Sequence, residues 1–297
     1  MMSPHRHRGR CRCIGNASPW VPEPHEIDEV GNERIGHERV LEAGDRMKRR
    51  LLAFDLDGTL AVTKSPIADL MAVRLGEVLQ LFDVCVISGG AFEQFKTQLI
   101  DRLHVDPQSM ARLHIMPTTG TKYFRLGADT NDWVLQFEED LPRDKRDEII
   151  KVLTAGAKAL GYWEAHPTGD IIDDRGSQIT FSALGQRAPT QKKYDWDPDG
   201  VKKRALRDYA AQRLPDLEVH TGGTTSVDVT NVGIDKAYGM RKLMTATSLC
   251  CSDILFFGDQ LEPGGNDYPV KAMGVDTIAV RCWEETAVAL EGIVRVA

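Results

Sequence analysis

No apolar run in this 297-residue sequence is long enough to span a membrane, so no membrane partner is expected. The first residues lack the apolar stretch of a secretory signal. Basic residues are in the minority: 37 Lys and Arg stand against 44 Asp and Glu, giving a net charge of −7. That argues against nucleic acid as the main partner, because binding a phosphate backbone needs a basic face. It does not exclude a small anionic substrate, since a few cations in one cleft outweigh a distant global charge. Cysteine is sparse. Cys11 and Cys13 are close together, Cys250 and Cys251 are adjacent, and Cys85 and Cys282 lie in apolar, strand-like runs. No secreted disulfide framework emerges. The pattern fits a reducing, cytoplasmic setting with Cys85 and Cys282 as small core residues. Internal repeats and low-complexity tracts are absent.

Residues 1–46 are basic at first ("MMSPHRHRGRCRCIGN"), then acidic and broken by prolines, and are expected to be a disordered tail. His5, His7, Cys11 and Cys13 are metal-ligating types, but their spacing fits no closed tetrahedral site well. Met47 makes a sensible start for the folded part.

From there the text alternates. "RLLAFDLD" reads as a strand, and "PIADLMAVRLGEVLQLF" as a helix with Pro66 in its first turn. "DVCVISGG" reads as a strand, "AFEQFKTQLIDRL" as a helix and "RLHIMPTTG" as a strand. Such alternation implies a parallel sheet covered by helices. The rhythm changes near Gly127, where "DWVLQFEED" and later alternating segments suggest an antiparallel insert with helices. It returns at Lys236. The expectation is an α/β fold: a Rossmann-like core of residues 47–127 and 231–297, interrupted by an α+β cap at 128–230.

Aspartates are poor strand residues and costly to bury unpaired, yet "LLAFDLDGTLAV" delivers Asp55 and Asp57 at the end of a greasy strand. Period-two spacing aims both carboxylates the same way, and ligands bind at the carboxyl ends of parallel strands. Two such carboxylates repel unless a cation separates them or one is protonated, and a hard divalent ion such as Mg²⁺ resolves this. Asp259, Asn266 and Asp267 in "FFGDQLEPGGND" repeat the design at a second strand end. Ser88, with Gly89 and Gly90, ends another strand and offers a hydroxyl and free N–H groups to an anion. Lys236 offers a cation. Each has a plainer reading: a helix cap, a Pro-Gly-Gly turn, a solvated lysine. Together they suit phosphoryl transfer through a metal.

This order of motifs resembles the haloacid dehalogenase (HAD) superfamily. The resemblance implies that Asp55 is a nucleophile forming an aspartyl-phosphate and that Asp57 is the general acid and base, its carbonyl also helping to hold Mg²⁺. By the same resemblance Ser88 and Lys236 grip phosphoryl oxygens, Thr59 offers a hydroxyl and Gly89 an N–H to the substrate. Asp259 ligates Mg²⁺, with Asn266 and Asp267 completing or orienting that site. The insert falls where a type-IIB cap would fall. Within that subgroup "GDQLEPGGNDYPV", "DDRGSQITFSALGQ" and "GGTTSVDV" resemble the eukaryotic-type phosphomannomutase family. That implies that Arg175, Ser226 and Asp228 hold a sugar phosphate, although Arg175 also has Asp173 and Asp174 at hand for an ordinary ion pair.

The departures are specific. Gln186 stands where that family has a second arginine, Lys193 lies near a third, and Lys64 replaces an arginine after the nucleophile loop. A mutase must hold the non-reacting phosphate firmly, best done by bidentate arginines, so a neutral Gln186 tilts the reading toward a phosphatase. Tyr162, Trp163, Tyr194 and Trp196 are read mainly as cap packing, with sugar stacking as the alternative. The expectation is a Mg²⁺-dependent phosphatase acting on a small phosphorylated metabolite, a sugar phosphate above all. A phosphosugar mutase is the near alternative and a non-catalytic phosphosugar-binding protein the remote one. Oligomeric state is left open, a homodimer being compatible with it.

Overall fold

The computed structural model describes residues 49–297 except 129 and 131. The His5, His7, Cys11, Cys13 cluster, the expected tail and Met47 lie outside the described residues. Eleven strands are described: β1 (Leu51–Phe54), β2 (Asp83–Ile87), β3 (Leu113–Met116), β4 (Lys122–Leu126), β5 (Trp133–Glu138), β6 (Ile172–Asp174), β7 (Gln178–Ser182), β8 (Leu217–Thr221), β9 (Ser226–Asn231), β10 (Ile254–Gly258) and β11 (Asp276–Ala279). The helices are α1 (Asp69–Leu81), α2 (Phe92–Gln98), α3 (Pro107–Met110), α4 (Arg143–Ala159), α5 (Thr190–Trp196), α6 (Val201–Ala211), α7 (Lys236–Thr247), α8 (Tyr268–Ala272) and α9 (Trp283–Val296). No described helix is long and apolar enough to cross a membrane.

The strands form two sheets. The larger has the order β11-β10-β1-β2-β3-β4-β5. Its first five strands are parallel, and β4 and β5 are antiparallel additions at one edge. β1 lies at its heart between β2 and β10, and all four of its residues are buried. A strand covered on both faces has no solvent side on which to alternate, which is why "LLAF" reads as one apolar run. Phe54 stacks on Phe257 of β10 with ring centroids 4.9 Å apart. One face of the sheet is covered by Met71, Leu75, Val78 and Leu79 of α1 with Leu290 of α9; the other by Met240 and Leu243 of α7 with Val270 of α8. Each fully buried aliphatic side chain contributes roughly 1.5–3 kcal/mol.

The second sheet, β6-β7-β9-β8, is antiparallel throughout. Ile149 and Leu153 of α4 and Leu206 and Ala210 of α6 pack with Ile179, Phe181, Val227 and Val229 from its inner strands.

Several expectations are corrected. The segment "DWVLQFEED" was expected in the insert, but it forms β5, paired antiparallel with β4 so that Trp133 faces Leu126. Phe137 packs on Tyr123 of β4 at 5.5 Å between rings. A hairpin lets the chain add an antiparallel edge without a crossover helix, so the rhythm breaks while the sheet continues. The chain passes to the second sheet near Leu141, whose N–H donates to the Gly176 carbonyl, and not at 127/128. Helix α1 starts at Asp69 after an extended Ala68, leaving Pro66 upstream; the next N–H, of Ile67, is already bonded to the Gln98 carbonyl. Leu99, at φ −121°, ends α2, and a short 3-10 turn at Ile100–Arg102 follows. Cys85 is fully buried, and burial raises its thiol pKa. Cys282 is instead half-buried at the N-cap of α9, because β11 ends at Ala279.

Candidate active site

Asp55 is the first residue after β1, and its N–H donates to the Phe257 carbonyl of β10 at 3.0 Å. Asp259 follows β10 directly, so both acids leave neighbouring parallel strands at their carboxyl ends. Ligand-oxygen atoms of Asp55, Asp259 and Asp267 lie within 4.8 Å of one another. Between two of them sits Lys236, the first residue of α7. Its Nζ is 2.6 Å from Asp55 Oδ1 and 2.5 Å from Asp267 Oδ1, and it is 2% exposed. The surface-lysine reading is thereby excluded. Asp267 Oδ2 accepts from the Gln260 N–H at 3.0 Å, which fixes the glycine-rich loop around it. Asn266 is exposed on that loop.

Gly58 allows the approach. It has φ +97°, and a Cβ there would stand 2.7 Å from Asp259 Oδ2. Any other residue would suffer both a left-handed backbone and a clash with an acid. Thr59 is buried, and its Oγ1 donates to Asp259 Oδ1 at 3.5 Å.

Burial pushes the Asp55 carboxyl up to about 8 despite the pull of Lys236, and Asp267 and Asp259 push the same way. Burial also raises the Asp259 carboxyl, with Asp267 adding to the effect. Fully ionised, the three acids would leave two negative charges uncompensated by the one ammonium in a largely buried space, and the upward shifts of Asp55 and Asp259 express that strain. All the donors are hard carboxylate oxygens. That residual charge and donor set fit a divalent oxygen-seeking cation such as Mg²⁺, which Asp55, Asp259 and Asp267 would hold.

Asp57 points to a different set of partners. Its Oδ1 accepts from the Lys64 N–H at 2.7 Å and from Gln98 Nε2 at 3.3 Å, and its Oδ2 accepts from Gln94 Nε2 at 3.0 Å. Sequence reasoning missed Gln94 and Gln98. The available signal was their four-residue spacing on α2, which puts both on one face. Ser88 directly follows β2, beside β1, and is buried; its Oγ accepts from the Gly90 N–H at 3.4 Å. The Ser88 and Gly90 carbonyls are tied to the Thr119 and Thr118 N–H groups at 2.9 Å, which braces the loop.

The second sheet reaches this loop. Arg175, in the β6–β7 turn, donates through Nη1 to the Gly89 carbonyl and through Nε to Asp173 at 2.8 Å. The ion pair with Asp173 is therefore real, but Arg175 also bridges the two sheets. Gln178 Nε2 donates to Thr180 Oγ1 at 3.0 Å, and Thr180 Oγ1 donates to Asp228 Oδ1 at 2.6 Å. Ser226 is buried two residues before Asp228 on β9. Lys64 Nζ, on the exposed rim, donates to Gln186 Oε1 at 3.0 Å, while the buried Lys193 donates to the Gln186 carbonyl at 2.9 Å. Burial, with Lys64 close by, pushes the Lys193 ammonium down to about 8. Tyr162 meets Trp196 edge-on at 5.6 Å, as packing; Trp163 and Tyr194 remain exposed.

A model of the eukaryotic phosphomannomutase family matches residues 73–294. The chain belongs to that family. A probable phosphomannomutase of Caenorhabditis elegans is 24% identical over 234 residues, spanning 75% of this chain and 87% of the relative. Human phosphomannomutase 1 is also 24% identical, over 237 residues, spanning 78% and 86%. Among solved structures, an IMP-bound, N-terminally truncated IMP-nucleotidase of Plasmodium falciparum superposes with a TM-score of 0.60 at 16% identity, covering 84% of this chain and 69% of that one. A haloacid dehalogenase-like hydrolase of Bacteroides thetaiotaomicron gives 0.54 at 18% identity, covering 83% and 100%. The fold is thus the HAD fold. The phosphomannomutase match begins downstream of Asp55–Thr59, so the loop carrying both catalytic candidates lies outside it.

Proposed function

We propose that this protein is a Mg²⁺-dependent phosphohydrolase of a small phosphorylated metabolite, a sugar phosphate, working through an aspartyl-phosphate on Asp55. The observation that carries this reading is Lys236 held between Asp55 and Asp267, with Asp259 completing an acidic cluster at the strand ends. An Asp55 oxygen attacks phosphorus as the bond to the sugar oxygen breaks, and that oxygen takes the Asp57 proton. A water then attacks the aspartyl-phosphate phosphorus, gives its proton to the Asp57 carboxylate and releases phosphate and the Asp55 carboxylate. Lys236 and the Ser88 hydroxyl hold the phosphoryl oxygens, whose charge a bound Mg²⁺ offsets. Thr59 and the Gly89 N–H line the phosphoryl site, Asn266 supports the metal loop, and Arg175, Ser226 and Asp228 face the sugar.

Hydrolysis is preferred because the neutral Gln186 stands where the family pattern has a second arginine, and Arg175 already serves Asp173 and the Gly89 carbonyl. A second reading, a phosphosugar mutase, is favoured by the family match and by Lys64 and Lys193 converging on Gln186. Mannose 1-phosphate separates the two. A hydrolase releases inorganic phosphate; a mutase yields mannose 6-phosphate, stimulated by a catalytic amount of a hexose bisphosphate. Isomerisation alone would overturn the first reading, and an Asp55→Asn variant as active as the parent would overturn both.

A further inference from the structure

We propose that Gln94 and Gln98 are positioning residues for Asp57, aiming its carboxyl at the leaving oxygen of the substrate. This rests on the reading of Asp57 as the proton donor. Both amides come from one face of α2 and take opposite oxygens of the carboxyl: Gln94 Nε2 stands 3.0 Å from Oδ2 and Gln98 Nε2 3.3 Å from Oδ1. With the Lys64 N–H at 2.7 Å, three donors from two directions define the carboxyl plane.

Gln98 is itself immobilised. It is 3% exposed, its Nε2 also donates to the Ser65 carbonyl at 2.7 Å, and its own carbonyl accepts from the Ile67 N–H at 2.8 Å. One residue thus ties down the loop that runs from Asp57 to Ile67. Its Oε1 is buried without a partner. Burying an unsatisfied amide oxygen is unfavourable, and an aliphatic side chain would avoid it. The amide's contribution lies in what its N–H groups hold. Gln94 has its own accommodation: a Cβ on Gly90 would come within 2.5 Å of its Oε1, so the glycine after the Ser88 loop clears space for this side chain. Both partners are neutral. They fix direction without introducing an ion pair beside the Asp55–Lys236 centre, as Lys or Arg would.

Direction matters only when the leaving oxygen needs a proton. A sugar alkoxide must be protonated as it departs; a nitrophenolate leaves unaided. The test is kcat/KM, which reports steps through leaving-group departure, for Gln94→Met and Gln98→Met. The substrates are p-nitrophenyl phosphate and a sugar phosphate, the latter followed by phosphate release or isomerisation, whichever the parent shows. The expected loss is about 10- to 100-fold on the sugar phosphate and under about 3-fold on the aryl phosphate. Equal losses on both substrates, or none on either, overturn the inference. Should Gln98→Met fail to fold, the half-exposed Gln94 supplies the decision alone. Asp57→Asn separates the layers. If it shows no leaving-group split, the reading of Asp57 is wrong; if it does and the glutamine variants do not, only the positioning role falls.

Discussion

Lys236 and Asp55 meet at 2.6 Å with no more than 5% of either side chain open to solvent. Asp267, fully buried, takes the other side of the same ammonium. Breaking such a pair strands charge in a medium that cannot solvate it. Lys236→Met should therefore destabilise the metal-free protein by about 3–5 kcal/mol in urea unfolding, because two carboxylates lose their counter-ion. Turnover of an aryl phosphate should fall by about two orders of magnitude or more. A variant with parental stability would show that Lys236 does not hold the acids together.

Metal should stabilise the fold through the same acids. At 100 times its dissociation constant, Mg²⁺ should add about 2.7 kcal/mol to unfolding free energy, seen as a higher melting midpoint that a chelator reverses. Asp259→Asn removes one ligand of three and should abolish most of that shift. If the variant responds to Mg²⁺ as the parent does, the ion binds elsewhere.

His114 supplies a pH signature remote from the site. It is 2% exposed, its Nδ1 meets the Tyr123 hydroxyl at 2.6 Å and its Nε2 is buried without a partner. Burial, helped by Arg125, lowers its pKa to about 3. The folded value lies below the unfolded one, so the unfolded chain binds the proton more readily. No cost arises above about pH 6.5, and stability is lost as pH falls below it, by about 1.4 kcal/mol per unit. Urea titrations at pH 7 and pH 5 should show the parent losing about 2 kcal/mol relative to His114→Gln over that interval, whatever the other groups contribute to both.

The lysine pair at Gln186 predicts opposite effects on stability and binding. A buried Lys193 beside Lys64 is a liability to the empty protein, so Lys193→Met should raise the melting midpoint at pH 7 while weakening sugar-phosphate binding. The folded pKa of about 8 sets the pH dependence. Affinity for the anion should be fullest below pH 8 and decline as pH rises through it, as the ammonium loses its proton. The variant should lack that decline. Titration calorimetry across pH 7–9 measures both.

How much of this was legible depended on how local each feature was. Asp55 and Asp57 declared themselves because two acids closing an apolar strand are costly without a purpose. Asp259 repeated the signal, and Lys236 followed from the order of motifs. The pairing of β5 with β4 was not legible, since alternation reports that a strand has two faces and says nothing of its neighbour. Arg175 was read as either a surface ion pair or a substrate ligand. It makes the ion pair and also grips the Gly89 carbonyl, 86 positions away in the chain. Gln94 and Gln98 went unread for a related reason: their spacing puts them on one face of α2, but neutral residues on a short helix gain meaning only from the carboxyl they face.

The position of β1 constrains how the protein comes into being. One flank of that strand is filled by β2, about thirty residues on, but the other waits for β10, about two hundred residues later. During synthesis, the most hydrophobic strand of the sheet leaves the ribosome with an open hydrogen-bonding edge and keeps it until the whole second sheet has been made. Long-range parallel pairing is slow, and an unsatisfied edge invites association with other chains. Independent early folding of the inserted sheet would shorten that interval by drawing the two halves of the core together.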